Sequence, residues 1–197
     1  MKVHSIRAIT GTVLLLGLLF ARPGSARERG PSTIEERARA VKVSHSLEED
    51  PLSKDAKDQR DWVLDWIEKI PDITVNVCFD FFGKVPEPPR GHSGEITMQM
   101  IISSAAFMIE HPDKVKDERA VALAGLLGSL KTYQAILKQD ASARWPFVDK
   151  LIVMREQGKL DDYVGETRRK CAHEDDDQDP NTMHAQLAPP PVWNSFR

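Results

Sequence analysis

Apolar residues recur at spacings of three and four positions through most of the chain after residue 53. The pattern is clearest where Val63, Trp66 and Ile70 make one apolar face, a spacing typical of an amphipathic helix. No two segments alternate apolar and polar residues well enough to pair as strands. The sequence therefore predicts an all-α fold, a compact bundle of about five to seven helices.

The ends of the predicted helices follow from capping residues, prolines and glycines. Ser53, Ser93 and Asp117 can each accept a hydrogen bond from the free amides of a first helical turn. Pro71 ends one helix, and Pro146 opens another at a position where its missing N–H costs nothing. The predicted helices cover residues 53–70, 93–110, 118–138, 146–157 and 160–171.

Residues 73–79 can be interpreted as a strand or as a short helix. Their β-branched side chains and partial alternation favour a strand, but a strand needs a partner that the rest of the chain does not offer. We therefore predict a short buried helix that Asp72 caps and Gly83 ends. The proline-rich residues 84–92 are expected to form an exposed loop.

Small residues mark one side of the most apolar predicted helix, residues 118–138. Ala120, Ala124 and Gly128 repeat every four positions, and the Ser-Ser-Ala-Ala segment at residues 103–106 is their natural counterpart. Small side chains let two helix backbones approach closely. The sequence thus predicts a central helix at 118–138 that packs tightly against the helix at 93–110.

The first 26 residues have the three parts of a secretory signal peptide. A basic head (residues 2–7) precedes an uncharged, mostly apolar run (residues 8–21), and small residues follow at 24–26. Cleavage is expected between Ala26 and Arg27. An uncleaved membrane anchor is the alternative, but the apolar run is shorter than the roughly 20 residues that cross a bilayer.

Export would leave residues 27–197, with 24 basic against 30 acidic side chains and a net charge near −6. This balance argues against a nucleic acid partner, because phosphates require a basic surface, and against docking on anionic lipid. No other segment is expected to be long and apolar enough to span a membrane. The mature chain is therefore expected to be soluble, in the periplasm or the external medium.

The cysteine pair, Cys78 and Cys171, predicts a structural disulfide, because an isolated even pair in an oxidising compartment usually forms one. A nucleophilic cysteine wants a nearby histidine, and a redox pair usually has Cys-x-x-Cys spacing; the sequence shows neither. The bridge would tie the predicted 73–79 segment to the last helix and close the bundle on itself.

Two segments flank the bundle domain predicted for residues 53–171. Residues 27–52 are highly charged and hold few large apolar side chains, which predicts a peripheral helix or linker that Pro51 stops. Residues 172–197 hold an acidic run and three consecutive prolines, which predicts a disordered tail.

Three segments together resemble exported helical bacterial proteins to which no function is assigned. They are Ile70-Pro71-Asp72-Ile73 leading to Cys78, the run from Ala105 to Lys114, and the run from Trp145 to Leu151. The similarity covers about residues 55–171 and both cysteines. It implies export and a helical fold, and it implies no chemistry.

No motif for a metal, cofactor or catalytic centre stands out. The histidines after residue 26 lack the spacing that puts two ligands on one helical face; they are His45, His92, His111, His173 and His184. The cluster formed by Cys171, His173, residues 174–177 and His184 is better interpreted as a solvated tail than as a metal site. Glu110 and His111 are the one place where a carboxylate and a histidine could meet, and a histidine at a helix C-terminus is the simpler explanation.

The leading functional expectation is a non-enzymatic exported module that acts on another protein or on an envelope component. A small exported hydrolase is an alternative, because residues that converge from separate helices leave no linear motif. A carrier of small apolar ligands is a third possibility, and its pocket would be lined by methionines such as Met98, Met100, Met108 and Met154.

Overall fold

A computed structural model describes residues 29–76, 78–86 and 91–176, with residues 172–176 described as backbone only. Within these ranges the chain forms six α-helices, and it forms no strand, so the all-α prediction is confirmed. The helices are α1 (Ile34–Glu49), α2 (Ala56–Lys69), α3 (Ser93–Glu110), α4 (Glu118–Gln139), α5 (Pro146–Glu156) and α6 (Leu160–Asp176). Short 3-10 turns lie at Phe79–Phe82, Pro112–Lys114 and Ala141–Ala143.

Both predicted terminal segments fall largely outside the described residues. The signal peptide at 1–26, with its cleavage site between Ala26 and Arg27, lies there entirely, and so does the tail from residue 177 onward. The tail is predicted to start at residue 172, and the backbone of α6 continues to Asp176. No proline or glycine interrupts the chain between Cys171 and Pro180, so nothing in the covalent backbone ends the helix earlier.

Helix α1 belongs to the bundle and is not the peripheral element predicted for residues 27–52. It packs against α3 and α4 and buries Ala40, Val43 and Leu47. The buried face also includes two polar residues, Ser44 and Glu48, which explains why the sequence shows no continuous apolar stripe. The prediction failed because part of this interface is held by hydrogen bonds rather than by apolar contact.

Helices α3 and α4 form the centre of the molecule. Gly128 packs directly on Ser103, which confirms the predicted close approach, and a second close approach joins Gly125 to Ser104. Ala120 and Ala124 are only half-buried. The residues of α4 that contact α3 therefore lie one position away from these two members of the predicted row of small residues. The larger core cluster surrounds this pair, with Leu126, Leu130, Tyr133 and Ile136 of α4 fully buried.

Of the N-caps predicted at Ser53, Ser93 and Asp117, the first two are wrong. Helix α2 begins after Asp55, because Ser53 is used in a preceding turn where its carbonyl accepts the amide of Ala56 at 3.0 Å. Helix α3 begins at Ser93 itself, after His92 in the left-handed conformation at φ 64°. The third cap is confirmed, since the carboxylate of Asp117 accepts the amide of Ala120 at 3.0 Å.

The predicted helix at residues 73–79 does not form. Residues 73–76 belong to neither a helix nor a strand, and a 3-10 turn at Phe79–Phe82 follows, ending at Gly83 with φ 61°. Along residues 73–76 burial alternates: Ile73 is buried, Val75 is half-buried, and Thr74 and Asn76 are exposed. This two-residue period is that of an extended chain, consistent with the β-branched composition of the segment.

Helix α4 is long and apolar enough to cross a membrane by length and composition alone, with a mean hydropathy of 1.3 over its apolar window. This corrects the expectation that no segment after residue 26 meets that criterion. In the structure 61% of the window is buried inside the bundle, which is the usual environment of a core helix.

Candidate functional site

The predicted disulfide joins Cys78 and Cys171, whose Cα atoms lie 6.3 Å apart. It connects the segment before the Phe79–Phe82 turn to α6. The hydroxyl of Tyr163, on α6, donates a hydrogen bond to the carbonyl of Phe81 at 3.0 Å and ties the same two elements noncovalently. Burial raises the pKa of the Tyr163 phenol above its ordinary value.

Glu110 meets a histidine, but that histidine is His45 rather than the predicted His111. His45 Nε2 lies 3.1 Å from Glu110 Oε1, because α1 packs across the C-terminal part of α3. The His111 ring instead stacks on the ring of Phe107, with centroids 4.5 Å apart. The pairing joins residues 65 positions apart, and no local pattern predicts it.

Of the other histidine side chains that the structure describes, His92 also has different partners. His92 lies at the start of α3, with its ring nitrogens 3.3 Å from Glu95 and 3.5 Å from Asp140. The His173 side chain and all of His184 lie outside the described residues.

A polar cluster joins α1, α3 and α4, and sequence reasoning missed it. The hydroxyl of Ser103 donates to Glu48 Oε1 at 2.7 Å, and Lys131 Nζ donates to Glu48 Oε2 at 2.9 Å. Gln99 Nε2 donates to Ser103 Oγ at 2.9 Å, and Ser44 Oγ lies 3.4 Å from the same oxygen. Glu48 is only 8% exposed, so these partners compensate for the cost of burying its charge.

The geometry of this polar cluster fits a structural role better than a catalytic one. Ser103 is 4% exposed, and its hydrogen bond goes to a carboxylate and not to His45. A nucleophilic serine needs access to substrate and a base that takes its proton. An open depression of about 570 Å³ lies beside the cluster, and its lining carries both signs of charge, including His45, Glu49 and Lys138.

The methionines proposed for an apolar pocket lie in different environments. Met100 is buried in the central core, and Met154 is half-buried against it. Met98 is half-buried on α3, whereas Met108 lines a surface groove. These four side chains are therefore not gathered into one pocket.

The groove that includes Met108 is a candidate binding surface. We call it the edge groove; it has a volume of about 260 Å³, and six of its lining residues are Thr74, Asn76, Met108, Val115, Lys116 and Arg168. One wall is the extended segment 73–76, and the opposite side comes from the ends of α3 and α4 and from α6. Val115 is 38% exposed, so apolar surface is open to solvent at this place.

The backbone of residues 73–76 is unpaired within the described structure. Among the backbone hydrogen bonds that join described residues outside the helices, none involves this segment. The exposed side chains of Thr74 and Asn76 also form no hydrogen bond with another described residue. A row of unpaired N–H and C=O groups on an extended segment is a template for pairing with another chain.

Electrostatically, the edge groove is slightly basic on a chain that is acidic overall. Arg168 is paired with Glu118, which also lines the groove, and the exposed Lys116 forms no ion pair with another described residue. The lining groups of the groove therefore leave one positive charge uncompensated, although the full chain carries a net charge of −3. This favours an acidic partner.

No protein-family model, curated protein or solved structure matches this chain. The resemblance to exported helical proteins therefore stays a prediction. One sequence signal bears on the edge groove, the partial alternation at residues 73–79, for which the sequence offers no second segment that alternates well enough to pair with it.

Proposed function

We propose that this chain is an exported binding module that binds an extended peptide segment of another exported or envelope protein in the edge groove. The unpaired backbone of residues 73–76 is the observation that carries the proposal. An incoming strand would satisfy these N–H and C=O groups, a mode of recognition known as strand addition. Main-chain hydrogen bonds supply affinity, and the side chains around the groove supply specificity.

The lining of the groove indicates the chemistry of the bound segment. Val115 and Met108 offer apolar contact, and methionine adapts its shape to different partners. Lys116, whose ammonium group forms no ion pair with another described residue, is available to a carboxylate. A segment that alternates β-branched or aromatic residues with Asp or Glu fits these features, because alternate side chains of a strand point to opposite faces.

Export is supported by the pattern at residues 1–26, by the resemblance described above and by the disulfide. Disulfides persist mainly in oxidising compartments, so a bridge between Cys78 and Cys171 fits a secreted protein. The hydrolase alternative is weakened because both serines of the polar cluster, Ser44 and Ser103, are buried, and the Ser103 hydroxyl is bonded to Glu48. The carrier alternative is weakened because its four methionines are dispersed.

The expected mature N-terminus is Arg27. Expression of the full chain in a bacterium with an intact secretory pathway, followed by intact-mass analysis of the exported protein, measures it directly. The predicted mass is that of residues 27–197 with two hydrogens lost to the disulfide. Soluble cytoplasmic protein that retains residues 1–26 would contradict export.

Peptide binding is testable with a random peptide library displayed on phage and selected on the purified mature protein. We expect enrichment of peptides that alternate apolar and acidic residues. Lys116→Glu should weaken binding of a synthetic enriched peptide about fivefold or more, since a charge pair of this kind contributes roughly 1 kcal/mol. Lys159→Glu, which changes an exposed lysine in the α5–α6 connection, is the charge-matched control and should bind as the unmodified chain does.

A second variant tests the backbone contact independently of charge. Asn76→Pro removes one N–H from the extended segment and should reduce peptide binding, whereas Asn76→Ala keeps the N–H and should bind almost normally. Circular dichroism verifies that both variants are folded. Equal peptide affinity of Asn76→Pro and Asn76→Ala, or a selection that enriches no peptide, would contradict the proposal.

A further inference from the structure

The carboxylate of Asp80 lies beside the disulfide. The sulfur atoms of Cys78 and Cys171 and a carboxylate oxygen of Asp80 all lie within 4.8 Å of one another. The Asp80 carboxylate is exposed and forms no hydrogen bond or ion pair with another described residue, while both cysteines are half-buried. We propose that reduction of the disulfide converts this cluster into a binding site for a thiophilic divalent cation such as Zn²⁺.

The chemistry requires a reductant and releases protons. A dithiol transfers two electrons and two protons to the sulfur–sulfur bond, which breaks to give two cysteine thiols, while the dithiol becomes a disulfide. When the cation binds, each thiol loses its proton to solvent, so two thiolates and one carboxylate coordinate it. The thiolate formed from a reduced cysteine is a strong zinc ligand, whereas a neutral disulfide sulfur is a weak one, so the cation binds the reduced protein and not the oxidised protein.

The spacing suits such a site. Zinc–sulfur bonds are about 2.3 Å long, so two sulfurs bound to one zinc lie at most about 4.6 Å apart. The carboxylate of Asp80 already lies within reach of both sulfurs. A solvent molecule can fill the fourth tetrahedral position because Asp80 is exposed.

Noncovalent contacts hold the three ligands together without the bridge. Phe81 and Phe82, which follow Asp80, are almost completely buried in the core. On α6, Leu160 and Val164 are buried, and Tyr163 donates its hydrogen bond to the turn that carries Asp80. The turn and the helix therefore remain neighbours in the reduced protein, and Cys171 stays close to Asp80.

Cadmium titration of the full mature chain tests the proposal, because thiolate-to-Cd²⁺ charge transfer absorbs in the ultraviolet. After reduction with a phosphine and anaerobic removal of the reductant, we expect a single Cd²⁺ to bind with this absorption, and none to bind to the oxidised protein. Asp80→Asn should weaken binding about tenfold or more, because the loss of even an outer-shell partner often costs that much. Asp58→Asn, at an exposed carboxylate on α2, is the matched control.

Three results would overturn the proposal. Equal affinity of the reduced Asp80→Asn variant and the unmodified reduced chain would show that Asp80 is not a ligand. Equal Cd²⁺ affinity of the oxidised and reduced proteins would show that the metal binds at another place in the molecule. Loss of the near-ultraviolet circular dichroism on reduction alone would show that noncovalent contacts do not hold the ligands in place.

Discussion

Cys78→Ser is expected to lower the free energy of unfolding of the oxidised protein by about 4 kcal/mol. The bridge closes a loop with a sequence separation of 93 residues. In the chain-entropy model, removal of such a cross-link gives the unfolded chain back an entropy worth roughly 4 to 5 kcal/mol. Urea unfolding followed by circular dichroism measures the effect. It is the largest that any single substitution discussed for this chain should produce.

The double variant distinguishes loss of the bond from loss of local packing. Cys171→Ser should destabilise the protein about as much as Cys78→Ser, and the double variant should cost little more than either single variant, since each removes the same bond. The reduced, unsubstituted chain is the control and should be about as stable as the variants. Additive costs, or two free thiols titrated in the native oxidised protein, would contradict the bridge.

Gly128→Ala is expected to lower the free energy of unfolding by about 2 kcal/mol. A Cβ atom there would overlap the Ser103 side chain and lie 2.7 Å from Glu48 Oε1. Overpacking of this kind costs up to about 3 kcal/mol, and the better helix propensity of alanine offsets about 1 kcal/mol. Thermal or urea unfolding measures the difference.

Gly125→Ala should lower the free energy of unfolding more than Gly128→Ala does. The Cβ at position 125 would lie 2.6 Å from the backbone carbonyl oxygen of Met100, which cannot rotate away. Gly165→Ala is the helical control, since its nearest neighbour is the flexible end of Arg119 at 3.1 Å. We expect that change to be neutral or slightly stabilising. Equal stability losses at all three glycines would show that close packing of α3 on α4 is not the cause.

Local signals sufficed for most of the fold. Asp117 caps α4 and Pro146 opens α5, as their chemistry predicts, and the small residues of α3 and α4 correctly indicated close packing. The sequence failed at α1 because Ser44 and Glu48 are buried as hydrogen-bonded groups, and polar burial leaves no apolar periodicity. Ser44 and Glu48 are buried because α3 and α4 cover them.

The candidate sites also differ in whether the sequence predicts them. The disulfide was predictable, because a chain with two cysteines has only one intramolecular pairing. The edge groove was not, because Asn76, Lys116 and Arg168 come together only when three distant segments pack. At residues 73–76, composition favoured an extended chain, whereas the lack of a second strand argued for a helix. The chain remains extended there because β-branched residues follow Pro71 and Ile73 packs into the core.

Amide hydrogen exchange at residues 74–76 tests the proposed binding edge most directly. In the free mature protein these three amides should exchange rapidly, because no described backbone group accepts them. Addition of the enriched synthetic peptide should slow one or more of them about tenfold or more, while the amides of Leu126 and Leu130 in the buried part of α4 remain unchanged. Strong protection of residues 74–76 in the free protein, or peptide-induced protection confined to other surfaces, would contradict the binding edge.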